Sequence, residues 1–124
     1  MGQAGNAPYV DLDKALDAED LPHAWMGAHE SRGGVKLSQA LRLTMLIATR
    51  RSRSYPSAVR KFMVRFISEE APTPEQIRKV AHALEELEGM THIHVRGEGP
   101  EWALKDLVRQ LEERERDRLH ELRA

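Results

Sequence analysis

Apolar positions recur at helical spacing over most of this chain, with one stretch where the period is ambiguous. From Leu37 to Arg51, the residues Leu37, Leu41, Met45 and Ala48 form one stripe, which Leu46 and Ile47 widen. The residue types there favour helix, starting at Leu37 or Ser38, although Leu41, Leu43, Met45 and Ile47 also alternate as in a strand. Arg50 to Pro56 is a polar connector. Upstream, Asp11 or Asp13 can cap a first short helix, and Pro22 suits the first turn of a second one across Trp25 and Met26. Arg32-Gly33-Gly34 breaks the pattern.

The ambiguous stretch is Ser57 to Ser68. Val59, Phe62, Met63, Phe66 and Ile67 match an amphipathic helix, yet Phe62, Val64 and Phe66 alternate with Met63, Arg65 and Ile67 as in a strand buried on both faces. Next comes an unambiguous helix start at Thr73-Pro74-Glu75-Gln76, with a stripe of Ile77, Val80, Ala81, Leu84 and Leu87 and a stop at Gly89. Thr91 to Arg96 alternates with β-branched residues on one face and reads as a strand. A lone strand leaves backbone groups unpaired, so it needs a neighbour, and 61–68 is the best one. Pro100 opens a final helix toward Arg123, ~35 Å long if unbroken. Its first half has an apolar face (Trp102, Leu104, Leu107, Val108, Leu111), whereas 112–118 has no apolar residue at all.

The expected fold is therefore α+β, or small α/β-like, with a helical N-terminal half followed by β-α-β-α and a long C-terminal helix. The alternative is all-α, with 57–70 helical and 91–96 a bare connector. Residues 1–8 read as a flexible leader, and 9–124 as a single domain whose C-terminal helix projects from about residue 112 to 124.

Composition narrows the class. The chain of 124 residues is 40% hydrophobic and 31% charged, with only 5% aromatic residues, which fits one Leu/Val/Ala-dominated core. There is no cysteine, so disulfides, thiolate chemistry and Cys-based zinc sites are excluded, and a reducing, cytoplasmic setting is expected. No apolar run approaches the roughly 18 residues that span a bilayer, so no membrane role is expected.

Charge distribution carries the functional expectation. The formal net charge is −1, but residues 1–31 hold Lys14 against Asp11, Asp13, Asp17, Glu19, Asp20 and Glu30. Residues 32–65 hold nine Lys and Arg residues and no acid. Lys36, Arg42, Arg50, Arg51, Arg53, Arg60, Lys61 and Arg65, interspersed with hydroxyls, suit a phosphate backbone or an acidic protein surface. The same cations equally suit a helix C-terminal dipole, or the acidic first thirty residues of the same molecule. In the last helix, Leu111, Leu119 and Leu122 suit contact with a partner helix or a second copy, although no three heptads persist.

Catalytic chemistry finds little purchase. There is no Gly-x-Ser-x-Gly, Walker loop or His-Glu-x-x-His, so no enzyme activity and no cofactor are expected. His92 and His94, two apart on one strand face, are weak metal candidates that lack a third ligand. The sequence thus points to a non-catalytic binding protein. A nucleic-acid-binding or regulatory subunit using segment 32–65 is the leading form. A protein–protein adaptor or inhibitor, meeting an acidic protein surface or associating through the C-terminal helix, is the alternative.

Overall fold

The computed structural model describes residues 11–31, 34–89 and 99–123. Among them are six helices and no strand: α1 (Leu12–Asp17), α2 (Leu21–Glu30), α3 (Leu37–Thr49), α4 (Tyr55–Glu70), α5 (Pro74–Gly89) and α6 (Pro100–Arg123). The α+β expectation is thereby corrected in favour of the all-α alternative. Residues 61–68, expected to be a strand, lie inside α4. The companion strand expected at 91–96 falls outside the described residues.

Burial explains why the helical period won in α4. Phe62 is 1% exposed, and its ring stacks on that of Phe66 one turn away at 5.7 Å. Val64, which a strand covered on both faces would bury, is 63% exposed. Pro56 sits in the first turn, where its missing N–H costs nothing. Ala71 ends the helix in the left-handed region and donates its N–H to the Ile67 carbonyl.

Local chemistry starts the other helices where the sequence suggests. Asp11 caps α1 by accepting from Lys14 N at 3.3 Å, and Asp20 caps α2 by accepting from His23 N at 3.3 Å. The backbone and ring hydrogen bonds from His23 hold the Asp20 carboxyl below its ordinary range. At α5, Gln76 N donates to Thr73 Oγ1 at 3.1 Å while Thr73 N donates to Gln76 Oε1 at 2.8 Å, a reciprocal capping box.

Helix α3 is the hub of the packing. One side joins α4, α5 and α6 in the main core, where Leu37 and Leu41 meet Phe62, Phe66, Leu84, Leu104 and Leu111. Its other side carries Leu46 and Leu43 into a second cluster with Leu12, Ala15 and Leu16 of α1 and Ala24 of α2. Two buried sides account for its wide apolar stripe and for the strand-like alternation within it.

Polar contacts tie α6 to α3 and α4 as far as Arg118. Glu115 accepts from Ser38 N at 3.0 Å and from Ser38 Oγ at 2.6 Å, so a side chain 77 residues away caps α3. Arg114 and Arg118 both bond Glu70 at the end of α4, the latter at 2.8 Å. The Glu70 side chain is only 4% exposed. Burial alone would raise its pKa, but the hydrogen bonds from Arg118 and Arg114 outweigh that and hold the carboxyl below its usual range.

Candidate functional site

The helix order leaves a trough. Helices α2 and α4 both pack on α3 but do not reach each other, so a stretch of α3 forms a floor between two helical walls. The resulting groove encloses about 360 Å³. Its floor is Leu43, Thr44 and Ile47, one face of α3 at helical spacing. Thr44 Oγ1 donates to the Ala40 carbonyl at 2.8 Å, so the floor presents its methyl group with the hydroxyl satisfied.

The walls differ in character. On α2, the Trp25 indole N–H donates to His29 Nε2 at 3.1 Å, which fixes the ring along the groove edge. On α4, Ser57, Lys61 and Arg65 recur one turn apart, and among the described residues of the lining Lys61 and Arg65 are the Lys or Arg side chains and none is acidic. Apolar surface dominates the remainder. Ser54, next to Arg53 in the chain, also lines the groove.

The eight cations expected to act together do not form one open face. Arg42 turns to α1, where it pairs with Asp17 and lies 3.6 Å from Asp13. Arg50 donates to the Glu19 backbone carbonyl at 2.7 Å. Arg42 thus pairs internally with acids of α1, whereas Arg50 meets a backbone carbonyl of the α1–α2 turn. Arg65 is bound to Glu69 through Nε at 2.7 Å and Nη2 at 3.3 Å, and it also lines the groove. Lys36 is exposed at the start of α3, and Arg51 is exposed in a left-handed conformation (φ 51°) after its end. Arg53, Arg60 and Lys61 are exposed, and among the described residues none of them has a hydrogen-bonded or ion-pair partner. They cluster around the start and middle of α4.

The partner-helix trio is also divided. Leu111 is 1% exposed in the main core, packed within the chain. Leu119 is exposed beyond the polar ties, and the Leu122 side chain lies outside the described residues. His92 and His94 lie outside them as well. Among the described residues, no group of three or more His, Asp or Glu side chains is placed to hold a metal ion. No described helix is long and apolar enough to cross a membrane.

Sequence reading missed the groove because its lining comes from three helices, none of which announces it alone. Val64 and Ile67, apolar residues that stay exposed on α4 near Arg60 and Lys61, do not line it. Trp25 is half-buried at the groove edge. Trp102 is half-buried too, with the Lys105 ammonium 5.4 Å from its ring centre. Comparison of the chain with protein-family models, curated proteins and solved structures returned no match.

Proposed function

We propose that this chain is a non-catalytic, cytoplasmic binding protein whose partner is another protein, recognised through the surface around α4. The observation that carries the reading is the juxtaposition of Arg53, Arg60 and Lys61, without partners among the described residues, with exposed Val64 and Ile67 and an apolar, acid-free groove. Protein interfaces combine an apolar centre with a charged rim, and unpaired cations there favour an acidic partner. A nucleic-acid backbone asks instead for many free cations along one track, and Arg42 and Arg50 are already engaged. The cysteine-free composition supports the cytoplasmic setting.

A pull-down of the full chain from nuclease-treated host lysate tests this reading. A protein should remain bound after nuclease treatment and be lost when Arg53, Arg60 and Lys61 are together changed to Glu. Retention of nucleic acid alone, abolished by nuclease, would return the assignment to phosphate binding.

A further inference from the structure

We infer that the groove between α2 and α4 receives an acidic amphipathic helix of the partner protein, with its apolar side chains over Thr44 and Ile47 and its carboxylates on Lys61 and Arg65. This deepens the protein-binding reading and rests on it.

Three features of the groove select that occupant. First, its size is modest. The α4 wall runs from Ser57 to Arg65, ~12 Å at the helical rise, which matches about two turns of a docked helix. Second, its floor and its α2 side are mostly apolar, with few groups able to serve a ligand backbone. An extended peptide would set its amide groups against Leu43, Ile47 and Ala28 without partners, which is costly. No strand edge is present among the described residues to pair with such a peptide. A helix satisfies its own backbone and offers only side chains, the usual helix-in-groove mode.

Third, the charges lie on one wall at a fixed interval. Lys61 and Arg65 are one turn apart on α4, while the α2 wall carries Trp25 and His29. An occupant would therefore place Asp or Glu one turn apart on the side facing α4, and apolar residues toward α2 and α3. Lys61 has no competing acid among the described residues, and Arg65 lines the groove while bonded to Glu69. The asymmetry also sets the direction of the charge pattern across the occupant, which a simple apolar pocket would not do.

The experiment uses two synthetic helical peptides of about 16 residues, long enough to populate helix, with leucines on one face flanked by glutamates in one and by lysines in the other. Each is titrated into the full-length, isotopically labelled protein while amide and indole signals are followed by NMR. The glutamate peptide should shift the Trp25 indole and the amides of α3 and α4 that line the groove, and leave the Trp102 indole in place. It should bind about tenfold or more tightly than the lysine peptide. Lys61→Glu should erase that preference, and Ser57→Trp, which fills the trough from its exposed wall, should block binding. Lys79→Glu on the outer face of α5 should change nothing, and circular dichroism should show all three variants folded.

Equal binding of the two peptides, or shifts confined to surfaces outside the groove, would overturn the inference. So would groove signals that move with protein concentration alone, which assign the trough to a second copy. Contacts between the Tyr9 ring and Trp25 in the free protein would likewise overturn it by assigning the groove to the chain's own N-terminal segment. The two levels separate cleanly. If the partner from lysate still binds Ser57→Trp, the groove assignment fails and the protein-binding reading stands. If no protein partner is retained by the unmodified chain, the reading itself fails.

Discussion

Removing the two arginines that hold Glu70 should cost more stability than removing the charge of Glu70 itself. The Glu70 side chain is 4% exposed, whereas Arg114 and Arg118 are 50% and 53% exposed. In Glu70→Gln both guanidiniums can turn to water, so only a half-solvated ion pair and part of its hydrogen bonding are lost. We expect about 1 kcal/mol. In Arg114→Ala/Arg118→Ala the carboxylate keeps part of its desolvation between α4 and α6 but loses both cations, and a loss of about 2–3 kcal/mol follows. Adding Glu70→Gln to that double variant should recover a large part of the loss, since a neutral amide suffers less from burial.

Acid should separate the variants further. Glu70 has a lowered pKa in the folded protein, so its stabilisation is present above its unfolded pKa of about 4.5 and fades as pH falls through the lower folded value. In the double variant burial acts unopposed and raises the folded pKa. Its penalty is then present at neutral pH and is relieved on acidification, so the gap to the unmodified protein narrows from pH 7 toward pH 4. Urea unfolding followed by circular dichroism at both pH values gives all four stabilities. Equal costs for the single and double variants, or no recovery in the triple, would refute the reasoning.

Three further outcomes are expected. Phe62→Ala should lose about 3–5 kcal/mol in the same unfolding assay while Val64→Ser stays within about 0.5, because only the first empties a core position. Tyr55 donates to the Leu84 carbonyl at 2.6 Å, and burial followed by the Glu88 charge pushes its pKa up to about 12. Stability should therefore be intact below pH 10 and fall as pH rises through 12, a loss that Tyr55→Phe removes while costing about 1 kcal/mol at neutral pH. Glu115→Ala should cost about 1 kcal/mol by uncapping α3, and hydrogen exchange should show faster protection loss at Ser38 than at Thr44.

Much of the helical layout was legible because its signals act within a single turn. Asp20, Thr73 and Gln76 bond backbone groups three residues away, and Pro22, Pro74 and Pro100 sit in first turns, so the residues alone specify where those helices begin. The stripe Val80, Leu84 and Leu87 was equally plain, since it faces one core only. Segment 61–68 was not, because a short apolar run carries both periods. What decides is which neighbours bury it, and α3, α5 and α6 cover only the Phe62–Phe66 side.

The same division holds for the candidate site. The sequence alone determined that positive charge gathers between residues 32 and 65. Tertiary structure decided which of those charges remain open, because Arg42 and Arg50 meet acids and carbonyls 25 and 31 residues away once α1 folds onto α3. It also made the groove, which is a gap between two helices that pack on a third and not on each other. No local rule encodes a gap, since it depends on elements that do not touch.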